Sequence, residues 1–306
     1  MNAHEASAAR RDRSQPSYGV APPGYRLPAA TRLGPVRLQV ADVDRSLEYY
    51  EGVLGLRRLD RVADRTLLGA AGGDAALVEL SGSAGATPVP RRGRLGLYHF
   101  AILLPDRAQL GRFIVHLSEA GESPGMSDHF VSEAVYLTDP DGLGIEVYAD
   151  RPRAAWRQQA DELYMTTRPL DTRVLIREAG GTPWQGMPLG TVLGHVHLFV
   201  DDLARAADFY HAGLGFDKVV WSYPGALFMS AGGYHHHLGT NTWAAGAPKA
   251  GDRDAKLLEW TVVLPGAAEV RAATESLRSA GFAVEEAADD RIAIDPWGTR
   301  VRLRTA

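Results

Sequence analysis

Apolar and polar residues alternate through VRLQV (36–40) and again through VHLFV (196–200). This period of two predicts a strand with one buried face. In both places the strand runs into acidic residues and then into an amphipathic segment that closes on Leu-Gly, which predicts a helix with an acidic N-cap region and a glycine stop. The two stretches are copies of each other. LGPVRLQVADVDRSLEYYEGVLGL (33–56) and LGHVHLFVDDLARAADFYHAGLGF (193–216) align without a gap at an offset of 160, with ten of 24 positions identical.

A second strand-then-helix pair lies at the same offset: LYHFAILLPDRAQLGRFIVHLSEAG (97–121) against LLEWTVVLPGAAEVRAATESLRSAG (257–281). Short apolar runs punctuated by turn residues follow each helix, as in SAGGYHHHLGTN, LTDPDGLGIEVY and AIDPWGTRVRLR, and these read as strands. The pattern therefore predicts an α+β chain of four βαβββ modules, near 33–85, 95–150, 191–245 and 256–304. Along the chain we expect an N-terminal arm, 1–32, partly disordered; an N-terminal domain, 33–150, holding modules one and two; a linker, 151–190, with one short helix around Leu170 to Glu178; and a C-terminal domain, 191–306, holding modules three and four.

Composition narrows the chemistry. The 306 residues, 45% hydrophobic, suffice for two ordinary cores. A formal net charge of -4 argues against a nucleic-acid partner, which needs a concentrated basic surface, and favours a small molecule. With no cysteine, any metal must be held by His, Asp or Glu, which points to a hard or borderline ion. No apolar run reaches the ~18 residues of a membrane span, and the arginine-rich start lacks the apolar centre of a secretory signal. A cytoplasmic location is expected, with no membrane partner.

Four βαβββ modules in about 300 residues resemble the vicinal oxygen chelate superfamily, which includes glyoxalases, bleomycin resistance proteins and extradiol dioxygenases, over nearly all of the chain after residue 32. The resemblance implies two domains with cup-shaped mixed sheets, and metal ligands on the first and last strands of a module. On first strands the corresponding positions are Pro35, His99, His195 and Glu259; on last strands, four residues past the DPxG turn, they are Glu146 in module two and Arg302 in module four. Extradiol ring-cleaving dioxygenases use two histidines and a glutamate, and the match is His99, Glu146 and His195. This implies that modules two and three share the metal cup, leaving Glu259 and Arg302 to form an ion pair in the other. Two neutral imidazoles and a carboxylate leave three octahedral positions open, which suits Fe(II), with Mn(II) a close second.

The stretch HFVSEAVYLTDPDGLGIE (129–146) looks like the extradiol signature. Its turn at Asp139 to Gly142 should set Tyr136 opposite Glu146 across a hairpin. By resemblance, His129 and Tyr136 hydrogen-bond the substrate and oxygen. Extradiol enzymes also carry a His-His pair on the strand corresponding to GGYHHHLGTNTW. Alignment makes His236 the general acid/base, with His235 and His237 the choices after a one-residue shift. His197 shares the face of His195, and His197, His235, His237 and Tyr148 are expected to line the substrate pocket.

The expected function is an extradiol dioxygenase that opens a catechol-type aromatic diol with O2, similar to two-domain bacterial catechol 2,3-dioxygenases; a homodimer would be in keeping with the superfamily. The alternatives are a glyoxalase-type metal-dependent lyase or isomerase, and a metal-free drug-binding protein on the same scaffold.

Overall fold

The computed structural model describes residues 18–306. Module one comprises β1 (Arg32–Val40), α1 (Val43–Gly52), β2 (Arg57–Val62), β3 (Arg65–Gly69) and β4 (Ala76–Gly82). Module two comprises β5 (Gly96–Leu103), α2 (Arg107–Glu119), β6 (Gly125–Asp128), β7 (Ser132–Thr138) and β8 (Gly144–Asp150). The linker carries a small hairpin, β9 (Gln158–Gln159) and β10 (Glu162–Leu163), and a helix, α3 (Thr172–Ala179). Module three follows with β11 (Val192–Phe199), α4 (Leu203–Ala207), β12 (Asp217–Val220), β13 (Ala226–Ser230) and β14 (Leu238–Asn241). Module four holds β15 (Lys256–Leu264), α5 (Ala267–Ser279), β16 (Val284–Ala287), β17 (Asp290–Ile294) and β18 (Arg300–Thr305).

The repeat is visible in atomic detail. Asp42 caps α1 by accepting from the N–H groups of Asp44 and Arg45, and Asp202 does the same for Ala204 and Arg205 at α4. The copies then diverge, because α4 runs into a π-helical turn over Asp208–Gly213. The DPxG turns also match. Asp139 Oδ1 accepts from Asp141 and Leu143, and Asp295 Oδ1 accepts from Trp297 and Thr299. Gly142 and Gly298 have φ of 85° and 96°, where a side chain would be strained. The repeat-equivalent Tyr50 and Tyr210 donate hydroxyls to Asp139 and Asp295 from the preceding modules.

Two eight-stranded sheets result. One runs β16-β17-β18-β15-β1-β4-β3-β2 and joins modules four and one; the other runs β12-β13-β14-β11-β5-β8-β7-β6 and joins modules three and two. Each sheet thus takes one module from 33–150 and one from 191–306. The apolar faces merge in one core that includes Leu38, Tyr50, Phe100, Phe209 and Trp260.

Of the expected arm, residues 1–17 lie outside the described residues, whereas 18–32 are packed. Leu27 is buried and its N–H reaches Gly215 O; Val20 bridges the edge strand β12 at Lys218; Arg26 pairs bidentately with Asp217. These contacts cover an otherwise open sheet edge.

Candidate active site

Strand register brings the predicted ligands together. β5 and β11 pair antiparallel at the centre of the sheet, with His195 opposite Ala101 and His197 opposite His99. β5 and β8 pair in parallel, with Ala101 opposite Glu146. Ala101 is therefore flanked by His195 and Glu146, and His99 lies two residues away on the same face. His99 Nε2 is 3.0 Å from Glu146 Oε2, His195 Nε2 is 3.1 Å from the same oxygen, and the two Nε2 atoms are 3.3 Å apart.

This triangle fits a cation. Ligands ~2.1 Å from one ion and at right angles around it lie ~3.0 Å from each other, close to the observed edges. Protons alone cannot satisfy the cluster: three contacts require three hydrogens, and each Nε2 carries at most one. At least one contact then has no hydrogen to bridge it. His195 Nδ1 is also buried without a hydrogen-bond partner. Burial drives His195 down to about 4 despite the neighbouring carboxylate. Burial would push the Glu146 carboxyl up, but the charges and hydrogen bonds of His195 and His99 hold it well below its ordinary value. Neutral imidazole and ionised carboxylate are the forms that bind metal. Among the described residues, His99, Glu146 and His195 form the group able to hold an ion.

The module-one and module-four sheet shows the same register with different chemistry. Glu259 stands where His99 does, and Thr261, the counterpart of Ala101, faces Arg302. Arg302 grips Glu259 through two hydrogen bonds, of 2.6 and 3.1 Å. Opposite charges here neutralise each other in place of a metal.

A cavity of about 320 Å³ opens beside the three donors. Tyr136 pairs with Glu146 across β7 and β8, and its hydroxyl is 2.7 Å from His129 Nε2. His129 Nδ1 donates to the Thr166 carbonyl at 2.7 Å, so in the neutral ring Nε2 is free to accept from Tyr136. Burial, reinforced by Glu146, holds the Tyr136 hydroxyl well above its ordinary value, so it stays a donor. His197 also lines the cavity. Trp243 N–H donates to Asn241 Oδ1, which turns the amide nitrogen toward His197 Nε2 at 3.0 Å.

The histidine triplet separates by role. His235–His237 precede β14 and lie in the loop after the glycine pair Gly232 and Gly233, so strand alternation does not decide their directions. His236 lines the cavity, with its ring 4.1 Å from that of His195. Burial, then the neighbouring imidazoles, keeps it well below its ordinary value and hence neutral. His235 faces away, with Nε2 2.9 Å from Asp150. His237 Nδ1 accepts from Ala231 N–H at 3.2 Å. Tyr148 lies beneath Gly194 and bonds Tyr234. Contrary to expectation, Tyr148, His235 and His237 are therefore absent from the cavity wall, because their rings turn to Tyr234, Asp150 and the Ala231 backbone.

Other lining residues come from outside the strands. Met165, Thr166 and Thr167 of the linker close one side, and Arg91, Tyr223 and Trp243 stand on others. The linker is clamped by backbone pairing between Asp128 and Arg168 and by Glu162, which accepts from Trp221 and Ser222. Nothing in the local sequence marks the linker as cavity wall, since its contacts are non-local.

A sequence profile of the Glyoxalase/Bleomycin resistance protein/Dioxygenase superfamily matches residues 32–147 and 192–301. The chain belongs to that superfamily. Catechol-2,3-dioxygenase of Bacillus subtilis (strain 168) is 44% identical over 273 residues, covering 87% of this chain and 94% of that protein. The fold is also that of a Bacillus subtilis protein provisionally named a dioxygenase (TM-score 0.64, 14% identity, 92% and 86% of the two chains). Glyoxalase I of Zea mays shares it as well (TM-score 0.54, 18% identity, 90% and 92%). No described helix is long and apolar enough to cross a membrane.

Proposed function

We propose that the enzyme is an extradiol dioxygenase that opens a catechol-type ring with O2 at a mononuclear centre held by His99, His195 and Glu146. The observation that carries this reading is the set of three donors, 3.0–3.3 Å apart, beside a cavity sized for one substituted ring. The likeness to catechol-2,3-dioxygenase supports it. The donor set, two imidazoles and one carboxylate, fits Fe(II) with open coordination positions. Bound Fe(II) would supply those positions and the redox chemistry that joins a diol to O2.

The protein supplies placement and proton handling. Aromatic side chains, Phe228, Tyr223 and Trp243, wall the cavity and hold a flat ring. His236, neutral and at the cavity, takes a proton from one diol hydroxyl. His129 and Tyr136 present a coupled hydrogen-bond pair to the same cavity. The linker residues Met165–Thr167 limit access of water. A glyoxalase-type reading calls for a further carboxylate or amide ligand, and among the described residues no second carboxylate joins His99, Glu146 and His195 in the donor group.

Anaerobic reconstitution with Fe(II), followed by addition of catechol and air, tests the proposal. One O2 consumed per catechol, with a yellow ring-opened product, is expected. Absence of uptake with catechol and with substituted catechols would overturn it.

A further inference from the structure

Asp150 ends β8, and its Oδ1 lies 2.9 Å from His235 Nε2. The same oxygen accepts from the Tyr234 hydroxyl at 3.2 Å, and Tyr234 is 2.6 Å from the Tyr148 hydroxyl. On the other side of its ring, His235 Nδ1 is 2.7 Å from His236 Nδ1. Proton positions follow from these contacts. An ionised carboxylate has only lone pairs, so the hydrogen facing Asp150 sits on His235 Nε2. A neutral imidazole has one such hydrogen, which leaves a lone pair on His235 Nδ1. With His235 in the neutral form, the hydrogen in the 2.7 Å contact sits on His236 Nδ1. His236 Nε2 is left with a lone pair and no partner among the described residues, on a ring that lines the cavity.

We propose that Asp150 is a positioning residue that acts through His235 to fix His236 as the Nδ1-protonated tautomer, with Nε2 presented to the cavity as a proton acceptor. This rests on the reading of His236 as the group that deprotonates the diol. In that step the diol O–H bond breaks, an N–H bond forms at His236 Nε2, and the electron pair stays on the diol oxygen. The opposite tautomer would aim an N–H at the diol and could not take the proton. The intermediate ring is fixed for this purpose: His235 is fully buried, with Tyr234 4.1 Å away and Trp156 edge-on at 5.4 Å between ring centres.

The test uses the full-length chain labelled with ¹⁵N-histidine and loaded with Zn(II), which does not turn over. Long-range ¹H–¹⁵N correlation reads each ring's tautomer directly. In the wild type, His236 is expected to carry its proton on Nδ1. In Asp150→Ala the Nε2-protonated form should become populated, and Asp150→Glu should restore the original form. With Fe(II), Asp150→Ala should lower kcat for catechol by roughly 10- to 100-fold at nearly unchanged KM, with recovery in Asp150→Glu and a smaller loss on 4-nitrocatechol, whose hydroxyl is more acidic. A merely structural role would move thermal stability and metal content instead. Nε2 protonation of His236 in the wild type, or an unaltered tautomer in Asp150→Ala, would overturn the proposal, and the wild-type spectrum decides even if the alanine variant fails to fold. Full turnover by His236→Ala would overturn the underlying reading of the site, and is separable because the spectra require no turnover.

Discussion

Replacing Gly194 by alanine puts a methyl group where the Tyr148 hydroxyl already is. A Cβ built on Gly194 lies 1.7 Å from the Tyr148 oxygen, 2.7 Å from its Cζ and 3.1 Å from its Cε1. To reach even a 3.0 Å contact the ring must move by about 1.3 Å, yet Tyr148 is fully buried and tied to Tyr234 by a 2.6 Å hydrogen bond. Overpacking costs about 1–3 kcal/mol and the lost hydrogen bond about 1 kcal/mol. A loss of roughly 2–4 kcal/mol, or a Tm fall of roughly 3–6 °C in a chain of this size, is expected. Gly34 is the internal control, being the same position of the repeat in the other sheet. There a Cβ meets Thr261 Cγ2 at 3.0 Å and Val263 Cγ2 at 3.1 Å, contacts that relax by a few tenths of an ångström, for about 1 kcal/mol or less. Because Gly194 adjoins His195, the strain reaches a metal donor, so iron content should fall in the Gly194 variant alone. Thermal denaturation and metal analysis of the two alanine variants check this. Adding Tyr148→Phe should recover part of the loss. Equal destabilisation by Gly34→Ala and Gly194→Ala would refute the reasoning.

Alanine at His99, His195 or Glu146 should abolish iron binding with the fold retained, whereas Glu259→Ala should keep one iron and lose roughly 1–2 kcal/mol, because Arg302 gives up its two bonds to Glu259 but keeps Asp290; metal content and denaturation curves report both. His236→Ala should retain iron but turn over catechol roughly 10²- to 10⁴-fold more slowly, with little effect from the same change at His237, as steady-state kinetics will show. Stability should also fall in acid through His237. Burial drives it down to about 3, while in the unfolded chain it titrates near ~6.5. Between those values only the unfolded chain binds the proton. Its contribution is therefore complete above pH ~6.5 and declines by about 1.4 kcal/mol per unit as pH falls toward ~3. Urea titrations of metal-free His237→Gln should show a shallower acid slope than the wild type; parallel slopes would contradict it.

The architecture and the ligand set were legible because both are written in local patterns. Alternation, capping aspartates and Leu-Gly stops recur at one offset, and comparing copies isolates His99, His195 and Glu146 against Pro35, Glu259 and Arg302. The extradiol resemblance, and not the pattern itself, implies that modules two and three share a metal cup, and the strand order joins those two in one sheet rather than pairing consecutive modules. The histidine triplet was harder. β14 begins only at Leu238, so the three rings follow a glycine turn and not a pleat. Asp150 and His235 meet across 85 residues, and the Met165–Thr167 wall depends on a clamp between separate loops. Contacts of that kind leave no periodic trace in a single sequence.

The proposed reaction is tested most directly by running one turnover of the Fe(II)-reconstituted enzyme on catechol under ¹⁸O2 and weighing the product. The site described here should yield a yellow ring-opened semialdehyde carrying two ¹⁸O atoms before exchange with water, formed by cleavage next to the diol. A product without label, cleavage between the two hydroxyls, or unchanged catechol would contradict it.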